Sequence, residues 1–421
     1  MSILARSAVS LAASAVTALT FGLLPASASA VDFDGYLRTG PGGTSKNSSR
    51  ACYDLKGTSF GGHYRLGNEC DFYGEFGLAQ TGTTADGATW KAKVMFNEYN
   101  HGTDIGTSSS SFEQMYVEGK NFVPGTNFWI GKRFYGRKDV HILDTFFVKM
   151  DGVGAGADEI SLGGAGKLGV AVFTSDTGSG LGDGGNSNSS NPGARLNVDV
   201  TDLPVGFGAL RVTGTFTKGR FDNPTYGKGT YGGGVSLQHT VDIAALGGGN
   251  TLWLQYAEGS AGLDGNFGKM TAETSVRQWR LVESLAWQVG PFGGQAVALY
   301  GQHNQDGTTP KFSEASIGGR ASFALTNNFK LVSELGYMQK KPDGAATQKL
   351  TKFTFAPTLS AGPGFWNRPE LRLYVTTAKW NAAANDAAGT DATTGLPNGL
   401  TGLQNGKTKG TSFGAQAEIW F

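Results

Sequence analysis

Metal ligands, net charge and long apolar runs are all scarce in this chain, and each scarcity excludes something. There are 2 cysteines and 5 scattered histidines, so no His/Cys cluster offers metal-ligand spacing. Lys and Arg number 35 against 34 Asp and Glu, a formal net charge of +1, which argues against nucleic acid as a partner. Beyond residue 30 no apolar run is long enough for a transmembrane helix. Only 13 Pro stand beside 66 Gly, and no linker divides the 421 residues into soluble domains. The Gly-rich run at 152–159 lacks the strand–helix context of a nucleotide loop. No cofactor is called for.

What is present begins with an export signal. Arg6, the apolar stretch Ala8 to Leu24 and Ala28-Ser29-Ala30 read as a signal peptide over 1–30, leaving 31–421 as the mature chain. In an exported protein, Cys52 and Cys70 read as a disulfide closing a loop.

The final eleven residues show the pattern of the fold. Phe413, Ala415, Ala417, Ile419 and Phe421 share one strand face; Gly414, Gln416, Glu418 and Trp420 share the other. If the apolar face meets lipid, Trp420 points into a water-filled lumen, where an aromatic ring needs a reason. The first strand, 31–39, likewise puts Tyr36 with Asp32, Asp34 and Arg38. A second strand over 63–80 puts Tyr73 on one parity with Arg65, Glu69, Asp71 and Glu75.

Eighteen strands are expected, including 87–99, 112–121, 126–134, 157–163, 207–220 and 410–421. The strand at 112–121 has mixed faces, as expected where a strand abuts another subunit. The connections alternate between short and long, the asymmetry of an outer-membrane barrel, and the sheet must close so that every backbone group in lipid is paired. The fold class is therefore an all-β, 18-stranded antiparallel transmembrane β-barrel. One long connection, 135–156, mixes both charge signs with Tyr, Ile, Leu and Phe rather than Ser and Gly. That composition wants partial burial, and folding inward would bring Arg137, Asp139 and Asp144 to the narrowest section.

The stretches VDFDGYLR at 31–38, YRLGNEC at 64–70, GKRFYGRKDVH at 131–141, FWNRP at 365–369, AKW at 378–380 and AQAEIW at 415–420 resemble the maltoporins, trimeric sugar-selective porins of Gram-negative outer membranes. The resemblance implies an inward-folded third loop and a ladder of aromatics, Tyr73, Tyr36, Trp420 and Trp366 from outside to periplasm. It implies a polar track of Arg38, Arg65, Glu75, Arg137, Asp139 and Asp144. It implies a loop-one disulfide at Cys52–Cys70, a homotrimer, outer-membrane lipid around it, and a phage-receptor role for outer loops.

Departures from the family pattern are specific. A constriction tyrosine becomes Phe146, a track arginine becomes Glu113, and the outermost ladder tryptophan has no counterpart in 102–111. The innermost ladder phenylalanine falls near Gly249. Trp253, on its strand's polar parity, is the candidate to replace it, with an interfacial girdle as its favoured place.

The function expected is facilitated diffusion of maltose, maltodextrins or related oligosaccharides. A general diffusion porin is the alternative. A glycosidase built on Glu75, Asp139 and Asp144 is disfavoured, because neighbouring arginines would hold those carboxylates ionised.

Overall fold

The computed structural model describes residues 31–46, 50–100, 109–175, 193–219, 230–263, 267–268, 276–304, 310–390, 395, 399–400 and 406–421. The expected signal peptide at 1–30 lies outside the described residues. From the amino end, β1 (Asp32–Thr39), β2 (Phe72–Thr83), β3 (Thr89–Asn100), β4 (Ser109–Lys120), β5 (Asn127–Arg133) and β6 (Gly152–Ser161) come first. Next are β7 (Lys167–Ser175), β8 (Gly193–Pro204), β9 (Ala209–Gly219), β10 (Thr230–Ile243), β11 (Gly248–Gly259) and β12 (Val276–Val289). The last six are β13 (Phe292–Asn304), β14 (Phe312–Ala324), β15 (Phe329–Pro342), β16 (Gln348–Ser360), β17 (Glu370–Trp380) and β18 (Lys409–Trp420).

Each strand pairs antiparallel with its sequence neighbours, and β1 pairs with β18 through Tyr36↔Trp420, Leu37↔Ile419 and Arg38↔Glu418, which closes the barrel. The amide of Gly35 donates to the Phe421 carbonyl at 2.8 Å, and the Gly35 carbonyl accepts from the Phe421 amide at 3.1 Å, sealing the seam to the last residue. Eighteen strands form the wall; the nineteenth member of the sheet is the short segment Gly42–Thr44 against β18.

Burial is inverted relative to a soluble domain. In β17, Leu371, Leu373 and Val375 are exposed while Arg372 and Thr376 are buried. Ile130, at 71% exposure, and Phe216 belong to the same outer apolar surface, whereas Arg211, Thr213 and Thr215 face inward. This is the alternation that a lipid-facing wall around a polar lumen requires.

The inside is not uniformly open. The first long connection, the residues 134–151 and the described part of 260–268 pack together against one side, burying Phe60, Tyr64, Phe147, Val148, Met150, Leu263 and Phe267. Their backbones are held by inward wall residues. Arg280 donates to the carbonyls of Leu263 at 3.1 Å and Phe147 at 3.3 Å, and Gln255 Nε2 donates to Phe147 O at 2.6 Å. Arg195 donates to Met150 O at 2.8 Å and Asp151 O at 2.9 Å; Glu314 accepts from the amides of Ser59 and Phe60, each at 2.9 Å. A loop folded into a barrel carries unpaired amides and carbonyls, and these side chains satisfy them. Cys52 and Cys70 form the expected disulfide, worth about 3 kcal/mol by loop entropy.

Three strand expectations change. Residues 63–71 are not strand: they form a turn inside the barrel, with Arg65 N bonded to Ile142 O at 3.0 Å and Gly61, Gly62 and Gly67 at positive φ. β6 begins at Gly152 rather than 157, because its glycines make room for rings; a Cβ at Gly154 or Gly156 would meet Phe173 or Trp129 within 2.9 Å. The mixed faces of β4 come from a β-bulge at Glu113, opposite Met95 and Phe96, which reverses the parity midway. No subunit contact is needed to explain them.

Candidate functional site

The candidate rings lie on and beside β1, β2 and β18. Tyr73 on β2 and Tyr36 on β1 have ring centroids 6.2 Å apart. Tyr36 lies directly opposite Trp420 across the seam. Trp366 comes from the connection 361–369, which folds back into the lumen through Lys330 Nζ donating to Gly364 O at 2.8 Å. His141 sits edge-on to both tryptophans, 5.4 Å from Trp366 and 5.6 Å from Trp420, and joins them into one slanting stripe. Trp366 and Trp420 are 43% and 37% exposed, which leaves ring face free for a ligand.

Beside the rings runs a charge network. Arg38 grips Asp71 with two hydrogen bonds, at 3.0 and 2.6 Å, and pairs with Asp144 at 2.7 Å and Glu69 at 3.0 Å. Arg65 pairs with Glu69 at 2.6 Å and Glu418 at 3.2 Å and donates to the Tyr36 hydroxyl. Tyr36 in turn donates to Glu418 at 3.0 Å. Glu418 also accepts from Arg368 at 2.9 Å and from Arg372. Arg368 lies over the Trp420 ring at 4.2 Å, and Arg38 over Tyr73 at 5.3 Å. The guanidiniums thus fix both the edges and the faces of the rings, at positions set by protein carboxylates.

The residues 134–151 supply the remaining groups. Lys138–Val140 and Thr145–Val148 form a small hairpin, joined by a turn in which Asp144 has φ 52°. Asp144 faces the lumen. Desolvation alone would push its carboxyl up, but Arg65 and Arg38 outweigh it and hold the group well below the usual carboxylate range. Asp139 behaves differently: desolvation and the Asp144 charge push its carboxyl up, and among the described residues it has no arginine within ion-pair distance. The arginine partner expected beside it is not there. Arg137 is pinned by Asp151 at 2.5 Å and lies over the rings of Phe134 and Phe146. Phe146, which lacks the hydroxyl of the family's constriction tyrosine, receives a cation on its ring face instead. Glu75 accepts from the Tyr73 hydroxyl at 2.5 Å.

Tyr36, Tyr73, Trp420, Arg38 and Glu75 stand on strands, Trp366 on the connection 361–369, Arg65 on the turn 63–71, and Arg137, Asp139 and Asp144 on the third loop. Trp253 does not join them. It is 3% exposed and packs on Phe147 with centroids 5.4 Å apart, inside the barrel and beneath the third loop, so it is neither rung nor girdle. Glu418, Arg368, Arg372, Glu69 and His141 were missed. Glu418 shares a face with Trp420, and His141 and Arg368 stand inside quoted motifs, so parity and position pointed to them.

The LamB porin family model matches residues 31–421. A maltoporin of Hahella chejuensis (strain KCTC 2396) is 30% identical over 430 residues, covering 96% of each chain. Among solved structures, Pseudomonas aeruginosa OpdK with vanillate aligns at TM-score 0.48 and 10% identity, over 93% of this chain and 99% of that one. The anion-selective porin of Comamonas acidovorans aligns at 0.45 and 12%, over 93% and 100%.

Proposed function

Since the chain belongs to the LamB porin family, an outer-membrane sugar channel of Gram-negative bacteria and not an enzyme, we propose that it conducts maltose and maltodextrins along the stripe Tyr73–Tyr36–Trp420–Trp366. The observation that carries this reading is the alignment of those half-exposed rings beside a fixed row of charges. A pyranose offers an apolar C–H face and a rim of hydroxyls. The rings cover the face while Arg38, Arg65, Glu75, Asp139 and Asp144 exchange hydrogen bonds with the rim. Arg137 shapes the constriction from its seat between Phe134, Phe146 and Asp151.

Transport needs each site to be weak, since a deep well traps the ligand. Binding of about 3–5 kcal/mol, in the millimolar range, fits that need. Residues 1–30 as a signal peptide, a homotrimeric assembly within outer-membrane lipid and outer loops that serve phage adsorption extend the reading on family resemblance.

Phe146 favours one refinement. With a ring and no hydroxyl at the constriction, oligosaccharides other than maltodextrins become competitors for the same stripe. Single-channel recording tests both. Maltotriose and maltohexaose should interrupt the ion current at millimolar concentration. A channel that no maltodextrin interrupts would leave a general porin or one for another oligosaccharide.

A further inference from the structure

The aromatic stripe does not stop at Tyr73. Directly across from it in the β2–β3 register stands Tyr99, near the end of β3 farthest from the short turns. Their ring centroids are 6.3 Å apart at an interplanar angle of 67°, nearly the same step as the 6.2 Å between Tyr73 and Tyr36. Tyr99 shares its parity with Lys93, whose ammonium reaches Asp34 on β1 at 2.7 Å, so it lies on the inner face and is only half-buried.

The polar surroundings are built as well. Ser111 lies opposite Asn97 and donates to its Oδ1 at 2.8 Å, with Glu113 Oε1 at 3.1 Å from the same hydroxyl. Glu113 is the residue that the β4 bulge inserts into the ladder; a bulge re-aims a side chain that regular pairing would place elsewhere. The Glu113 carboxylate is within electrostatic reach of Tyr73 and Glu75, whereas the charged groups that reach Tyr99 are Asp71 and Arg38.

We infer that Tyr99 is the outermost rung of the stripe, a specificity-determining residue that receives the leading pyranose of an incoming oligosaccharide, with the Arg38–Asp71 pair at hand for its hydroxyls. This rests on the sugar-channel reading above. The entry rung is fixed in register with Tyr73 by backbone pairing. It also implies a length preference: a chain long enough to span Tyr99 to Trp420 gains a contact that a disaccharide already seated at Tyr36 and Trp420 does not use.

The test is current block on Tyr99→Ala, Tyr99→Phe and Trp420→Ala, with maltose and maltoheptaose each added from the long-loop side. Tyr99→Ala should weaken maltoheptaose block roughly three- to tenfold, the scale of one stacked ring, with open-channel conductance maintained and maltose block little changed. Tyr99→Phe keeps the ring and should restore the heptaose value. If Tyr99→Ala blocks like the native channel while Trp420→Ala is weakened, the stripe ends at Tyr73 and the inference is wrong although the sugar reading stands. An equal loss for maltose and maltoheptaose would also overturn it, because an entry rung acts on length. If neither sugar blocks the native channel, the inference falls together with the reading beneath it.

Discussion

The two sides of the barrel interior use the same residue types for opposite ends. On the side spanned by β8 to β16, Arg195, Arg280, Gln255 and Glu314 point inward and bind the backbone of folded-in loops. On the side spanned by β17, β18, β1 and β2, Arg38, Arg372 and Glu418 also point inward, but join Arg65 and Glu69 of the turn 63–71 in ion pairs around half-exposed rings. Inward polarity therefore does not mark a ligand site by itself. What separates the sides is whether the charged group's partner is a loop backbone in a dry core or a ring edge beside water.

Two tryptophans make the comparison sharp. Trp253 and Trp420 both lie on the inner parity of their strands, yet Trp253 is 3% exposed and Trp420 37%. Trp253→Ala should give the largest effect. Removing a buried tryptophan costs about 3–5 kcal/mol, here from the seating of Phe147 and the third loop. Raised or fluctuating open-channel conductance would report the loosened loop, and an unaltered conductance would place Trp253 outside its support.

Glu418→Gln strikes the other side. It leaves Arg65, Arg368 and Arg372 without their shared carboxylate, a loss of about 3 kcal/mol for a buried network. The temperature at which the barrel unfolds on a detergent gel should fall, and maltohexaose block should weaken with it. Unchanged values in both would mean that Glu418 does not organise the rings. Smallest is Phe146→Tyr, which returns a hydroxyl to the constriction. Block by maltodextrins should tighten by about 1 kcal/mol, one net hydrogen bond. Weaker block would show that the hydroxyl disturbs the Arg137 stack instead.

Much of the wall was legible in advance. β9 and β18 alternate cleanly, and Tyr36, Tyr73 and Trp420 stood on polar faces before any pairing was seen. The third loop betrayed its inward fold through apolar residues that a solvated loop has no use for. Residues 63–71 misled because Arg65, Glu69 and Asp71 alternate with Leu66 and Cys70 as a strand would. The positive-φ glycines beside them set the backbone instead. The bulge at Glu113 left no mark in composition, so β4 looked like a strand with two undecided faces. Trp253 could not be placed because parity gives the side of the wall a residue faces, not whether water or a loop fills the space there. Glu418 hid in plain view: next to a tryptophan it read as lumen decoration, and only the pairing of β1 with β18 brings Arg38 and Tyr36 to it.

The most direct test of the division between the two sides is the dissociation constant of maltohexaose from current noise in Tyr36→Ala and Trp420→Ala. Each change should weaken binding by about 1 kcal/mol, the worth of one stacked ring, while conductance without sugar stays close to native. An unchanged constant in both variants would contradict the account, because those rings would then line the passage without touching what travels through it.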